Sequence, residues 1–228
     1  MVAATPRLRG DDIDFLALLT ETRRRQFLVD SRRVDFPAGT VAFRPHERPI
    51  SFVVTRGFVR VYRALPDGRQ ATVAFIHANE LVGATSIVAE PASVFVQVVV
   101  DSTLTMLELD TVRNLSAAHI DVLDVVARHL AIQLDHSFRL TSIRSLGDVR
   151  EQLAYDLLER ACQCQLMNGR LEVRATHAEL ADSIGSSREV VSRALKALRA
   201  AGMVTTAPGV VRIVEPVRLA GIVRAFAV

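Results

Sequence analysis

Apolar and polar positions change their period twice along the chain. Over residues 11–28, Ile13, Phe15, Leu16, Leu18 and Leu19 precede the basic run Arg23, Arg24, Arg25, which predicts a short amphipathic helix. From residue 33 to about 109 the texture becomes short Val- and Phe-rich runs cut by turn signals. Phe36-Pro37-Ala38-Gly39, Arg44-Pro45, Arg56-Gly57 and Leu65-Pro66-Asp67-Gly68 break the runs. Many short strands at this spacing predict an antiparallel barrel or jelly roll. After Asp110 the period lengthens: Ile120, Leu123, Ala127, Leu130, Leu134, Ser137 and Thr141 recur at steps of three and four. That is one long helix, with Arg128, Arg139 and Arg144 off the stripe, and a seam-like stripe of this length predicts pairing with a second copy. Gly147-Asp148 interrupts the run, a further helix is predicted over residues 149–165, and the boundary falls at 145–148.

The most informative stretch follows. Thr176 and Glu179 stand at capping-box spacing, and so do Ser186 and Glu189. Each box opens a predicted helix, over residues 178–184 and 187–200, and Gly185 supplies the turn between them. Two capped helices about one glycine turn predict a helix-turn-helix, with Leu180, Ile184, Val191, Leu195 and Leu198 as its shared core. Its second helix presents Ser187, Arg188, Glu189, Ser192, Arg193 and Lys196. An arginine forks onto guanine and a carboxylate accepts from cytosine, so this mixture suits base reading better than phosphate binding alone. The competing reading is a solvated face held by ion pairs such as Glu189 with Arg193. Residues 202–214 then form two short β-runs around Pro208-Gly209, the pattern of a wing hairpin.

Composition narrows the classes. Half of the 228 residues are hydrophobic, enough for a core in one large or two ordinary domains. Net charge is only +3, so any DNA-binding face must come from clustered rather than total charge. Lys196 is the sole lysine. Two cysteines, Cys162 and Cys164, are too few for a disulfide scaffold or for an iron–sulfur cluster, and read as reduced packing residues. No run has the length of a membrane span, and residues 1–10 lack the apolar stretch of a signal peptide, so a cytoplasmic protein is expected. No nucleophile–base pair, phosphate-cradling glycine loop or pair of catalytic carboxylates stands at a motif spacing, so no enzyme is expected.

The order barrel, long helix, hinge and winged helix-turn-helix resembles the CRP/FNR family of transcription regulators. The resemblance covers nearly the whole chain and is sharpest after Asp148, in Thr176-His177-Ala178-Glu179-Leu180-Ala181 and in Gly185-Ser186-Ser187-Arg188-Glu189-Val190-Val191-Ser192-Arg193. It implies an α+β fold: a cyclic-nucleotide-binding-type barrel (a jelly roll) over residues 1–118, a dimerisation helix and hinge over 119–146, and a winged helix-turn-helix over 147–228. It further implies a homodimer on double-stranded DNA, pairing through residues 120–141. Arg188, Glu189 and Arg193 would read a palindromic TGTGA-like site, with Thr176 and Ser187 on phosphate, RNA polymerase as a partner and Asp148 capping the hinge.

The sensor half departs from the family pattern. Members that bind cyclic AMP carry Phe-Gly-Glu and then Arg-Ser in the ligand loop. Here Gly83 is kept, Ala84 replaces the Glu, Thr85 follows, and residues 89–95 contain no arginine. A buried cyclic phosphate without a cationic partner is expensive, so cyclic nucleotide in the usual pocket is not expected. On the long helix Ser137 falls where adenine is contacted, beside Phe138. The effector stays open between none, haem and another small molecule. His77, near the pocket, and His46, His119, His129 and His136 are the available imidazoles, although ordinary packed histidines explain them as well. A barrel filled by its own apolar side chains would mark an effector-independent regulator, and an intact pocket with converging polar groups a ligand-gated one.

Overall fold

The computed structural model describes residues 14–45, 50–90 and 93–224, with the backbone alone at 144, 145 and 224. Residues 1–10, Ile13, His46, Pro91, Ala92 and the side chain of Arg144, all used above, lie outside the described residues. The first predicted helix is divided. Leu16–Leu18 form a 3-10 turn, Leu19 is extended, and Thr20 caps α1 (Glu21–Phe27) by accepting from the Arg23 amide. A hydroxyl that captures an amide three residues on starts a helix where it stands, so the apolar pattern could not run through it.

Six strands make one antiparallel sheet: β1 (Arg32–Phe36), β2 (Val41–Phe43), β3 (Phe52–Ala64), β4 (Gln70–His77), β5 (Leu81–Val82) and β6 (Phe95–Met106). The order is β1-β6-β3-β4, with β2 also on β6 and β5 on β3. The two long central strands pair from Phe52 opposite Met106 to Tyr62 opposite Phe95, bending at register shifts around Gly57. Gly57 has φ +108°, and a Cβ there would stand 2.7 Å from the Ser102 Cα, so the bend admits only glycine. A short helix, α2 (Ala84–Val88), follows β5.

Period-two alternation divides this sheet between two cores. Val59, Val61, Ala74, Ile76, Val96 and Val98 point inward and pack on one another. Phe58, Phe75 and Val99 point outward, yet they are buried too, because the C-terminal helices cover that face. Both faces of the centre of β3 are therefore withdrawn from water.

Two helices follow: α3 (Leu109–Ala118) and α4 (Ile120–Leu146). The first was not foreseen, because only Val112 and Ser116 of its residues are buried and it lacks a long apolar stripe. The predicted stripe on α4 is really two. Val122, Val126, His129, His136 and Leu140 are buried against the barrel side, and Leu123, Leu130 and Ser137 are half-buried there. Ile120, Ala127, Leu134 and Thr141 are exposed, with Ala131 and Phe138 interleaved. The exposed line Ala127, Ala131, Leu134, Phe138, Thr141 keeps alternating steps of four and three.

Asp148 caps α5 (Val149–Asn168) in a reciprocal box: its Oδ1 accepts from the Glu151 amide at 2.8 Å, and Glu151 Oε2 accepts from the Asp148 amide at 3.0 Å. The same Glu151 pairs with Arg139 on α4, so one carboxylate ties both sides of the bend. Asp148→Ala is expected to cost about 0.5–2 kcal/mol of stability, read as a shift in the urea midpoint.

Beyond α5 come β7 (Glu172–Arg174), α6 (His177–Ser183), α7 (Arg188–Ala200), β8 (Val204–Ala207), β9 (Val210–Ile213) and α8 (Pro216–Arg224). The wing hairpin closes through Pro208-Gly209, Gly209 being at φ +68° as a Pro-Gly turn demands. β7 adds a third strand to it. α8, also unforeseen, buries Leu219, Ala220 and Val223 in the core shared with α5. Among the described residues no helix is long and apolar enough to cross a membrane.

Candidate DNA-binding surface and effector cavity

The helix-turn-helix is built from two caps and a packed seam. Thr176 accepts from the Glu179 amide while the Glu179 carboxylate accepts from the Thr176 amide at 2.7 Å, completing the first box. The second box does not form as read from the spacing. Ser187, not Ser186, is the cap, accepting from the Val190 amide at 3.3 Å. Glu189 therefore sits one position earlier in the helix, beyond reciprocal reach. Its carboxyl is held below the usual range by its own backbone amide first, then by the Ser187 hydroxyl and the charges of Arg188 and Arg193. It remains an ionised acceptor at neutral pH.

Val191, Leu195 and Leu198 bury one side of α7 against Leu180 of α6. The opposite side leaves Arg188, Glu189, Arg193 and Lys196 exposed, together with Thr176 and Ser187 at the two caps. Ser192 differs: it is half-buried, and its hydroxyl lies 2.8 Å from His177 Nδ1. That contact locks the first turn of α6 to α7 and leaves Ser192 less available than its neighbours. On the wing sheet Arg174 and Arg212 flank the buried Glu172 at 3.5 and 3.4 Å. The opening helix residues at a dipole N-terminus, with a fork-shaped cation on each turn, can donate to phosphate and guanine and accept from cytosine.

The barrel holds a cavity of about 250 Å³. Gly83, Ala84, Thr85 and Ser137, singled out from sequence, all line it, so those positions are brought together. Gly83 has φ +80° and a Cβ there would meet the Ile50 carbonyl oxygen at 2.3 Å, which explains the glycine. Phe138, by contrast, faces away and is exposed. Leu130, Gln133, Leu134 and Ser137 bring α4 onto the wall. Gln133 Nε2 donates to the Leu81 carbonyl at 2.8 Å, and Ser137 Oγ donates to the Val73 carbonyl at 3.1 Å. Among the described residues no charged side chain lines the cavity. A cyclic phosphate needs a cation or several aimed donors, and among the described residues the wall offers it no cationic side chain.

A haem needs an axial imidazole, thiolate, thioether or phenolate; among the described residues none lines the cavity. His77 packs edge-on against Phe58 with centroids 4.9 Å apart, and His129 packs against Phe15 while bonded to the Leu81 carbonyl at 2.8 Å. His136 lies beside Phe75 and Leu140, and His119 precedes α4. Among the described residues no three His, Cys, Asp or Glu side chains are grouped as a metal site.

One constellation was not legible in the sequence. Arg60 stands in the outward row of β3, wholly buried beneath α5. Its Nε donates to Thr72 Oγ1 at 2.8 Å, its Nη1 to Gln70 Oε1 at 2.9 Å and Gln97 Oε1 at 3.2 Å, and its Nη2 to the Glu159 carboxylate. Glu159 also accepts from Thr72. Gln97 Nε2 continues to the Cys162 carbonyl at 2.9 Å and Gln165 Oε1 at 3.0 Å, and Gln165 Nε2 returns to the Val99 carbonyl at 2.9 Å. This network pins α5, the base of the helix-turn-helix, to the barrel. Burial pushes the neighbouring Cys162 thiol up to about 12, so it stays protonated and unreactive.

Comparison with known proteins covers both halves. The profile of the cyclic nucleotide-binding domain matches residues 33–119, and that of the Crp-like helix-turn-helix domain matches residues 151–222. The cyclic AMP receptor protein of Thermus thermophilus is 33% identical over 168 residues, covering 72% of this chain and 74% of that protein. The cAMP-activated global transcriptional regulator Vfr of Pseudomonas aeruginosa is 22% identical over 210 residues, 89% of this chain and 92% of its own. Among solved structures, a Crp/Fnr-family transcriptional regulator from Eubacterium rectale superposes with TM-score 0.58 at 18% identity, covering 93% of this chain and 99% of the other. That likeness supports the fold.

Proposed function

Since the chain belongs to the CRP/FNR family of DNA-binding transcription regulators, we propose that it binds a palindromic TGTGA-like operator as a homodimer. The observation that carries this reading is the exposed face of α7, where Arg188, Glu189 and Arg193 stand free of the core on a capped helix. Each protomer lays α7 in a major groove, the two grooves one turn (roughly 34 Å) apart. Arg188, Glu189 and Arg193 read bases; Thr176, Ser187 and Lys196 contact phosphate, and Ser192 braces the helix pair through His177. The protomers pair along the exposed line of α4. We take residues 1–118 as the sensor unit, 119–146 as pairing helix and hinge at Asp148, and 147–228 as the DNA-binding unit, acting in the cytoplasm with RNA polymerase as partner. Gating by a small molecule is favoured over an effector-independent barrel by the open space alone, since the wall is mainly apolar and its Gln133 and Ser137 are bonded to backbone carbonyls.

Fluorescence anisotropy on a labelled TGTGA palindrome tests this. Tight binding that cyclic AMP leaves unchanged is expected. Arg188→Ala should weaken it by about 1–3 kcal/mol and relax discrimination at one base position. Unaltered discrimination between the operator and base-swapped duplexes would remove Arg188 from the reading role.

A further inference from the structure

The cavity wall states what kind of molecule it can hold. Among the described residues it is made of Phe, Ile, Val, Leu and Ala side chains and a few neutral polar groups, with no charge of either sign. Two of those polar groups are already engaged, Gln133 with the Leu81 carbonyl and Ser137 with the Val73 carbonyl. An ion entering would give up its hydration and, among the described residues, meet no countercharge. A neutral apolar molecule loses no such hydration by the same transfer and gains contacts with the apolar wall. We propose that this cavity binds an uncharged, mainly apolar small molecule, aromatic or acyl in character, with at most one hydroxyl or carbonyl group placed against Thr85.

Its position makes it an effector site. Leu134 lines the cavity and is also 54% exposed on the line of α4 that runs through Ala131 and Phe138. A molecule seated against Leu130 and Leu134 therefore bears on the helix that pairs the protomers, and it can favour one arrangement of that pair over another. This part rests on the reading of α4 as the pairing helix.

The test uses the full-length protein and N-phenyl-1-naphthylamine, a neutral probe that fluoresces in apolar surroundings. A saturable signal at one site per protomer is expected, undisturbed by millimolar cyclic AMP. Val94→Arg, at a half-buried wall position, should weaken the probe at least tenfold. Ala74→Phe, which fills the cavity from β4, should do the same. Operator anisotropy on the same samples reports folding and keeps the two readings apart. Absent saturation, displacement by cyclic AMP, or equal probe binding by operator-competent Val94→Arg would each overturn the proposal while leaving DNA binding standing. Probe binding with no operator binding either with or without the probe would instead overturn the DNA reading and leave the cavity proposal intact, whereas operator affinity that changes with the probe is the effect expected of an effector site.

Discussion

Arg60→Ala is expected to lower the free energy of unfolding by about 3–5 kcal/mol, the usual loss when one member of a buried ion pair is removed. The guanidinium is fully buried and satisfies Thr72, Gln70, Gln97 and Glu159 together. Its removal leaves the Glu159 carboxylate, whose side chain is 14% exposed, without its cation under α5. It also leaves a void beside Tyr62, over whose ring the guanidinium carbon sits at 4.5 Å from the centroid. Equilibrium urea unfolding measures the change. The double variant Arg60→Met, Glu159→Leu should recover most of it, because two apolar groups of similar volume leave no stranded charge. A loss below about 1 kcal/mol for Arg60→Ala, within the range of a surface ion pair, would mean that α5 is not held to the barrel through this network.

That network marks the limit of what pattern reading could supply. In the run Phe58-Val59-Arg60-Val61-Tyr62 the alternation is clear, and an arginine in the outer row reads as a solvent-facing residue. Only the placement of α5 over that row turns Arg60 inward, and nothing local to β3 encodes it. The same holds for Gln97 and Gln165, polar residues on opposite elements whose meaning is each other. Features set by neighbouring residues were legible: the Thr176 box, the Gly185 turn, the Pro208-Gly209 hairpin and α4 to within a turn of its ends. Where two hydroxyls competed for one cap, at Ser186 and Ser187, spacing alone selected the wrong one, because the outcome depended on the turn geometry after Gly185. Of the cavity, the sequence marked four positions: Gly83, Ala84, Thr85 and Ser137 do meet around one space, while the Phe, Val and Ile side chains from distant strands that make up most of its wall carried no local signal.

Phe138→Asp should convert the dimer to a monomer and weaken binding to a full palindrome by about 10²–10⁴-fold, the gain that linked half-sites ordinarily provide. Phe138 is 63% exposed in the single chain, a large aromatic on a line of Ala127, Ala131, Leu134 and Thr141 whose steps of four and three match a two-helix seam. An aspartate at its centre would face its own copy across the pair, desolvated and like-charged. Phe138 does not itself line the cavity, although Leu134 one turn before it does, and it lies outside the buried core beneath α7. Affinity for an isolated half-site should therefore stay as it was. Light scattering gives the oligomeric state, and anisotropy on half-site and palindrome gives the two affinities. A dimer that persists, or a monomer that still binds the palindrome as tightly as the parent protein, would move the interface off this line of α4. Loss at both sites would point instead to a disturbed helix-turn-helix, which the bend at Asp148 and the Arg139–Glu151 tie could transmit from α4 to α5.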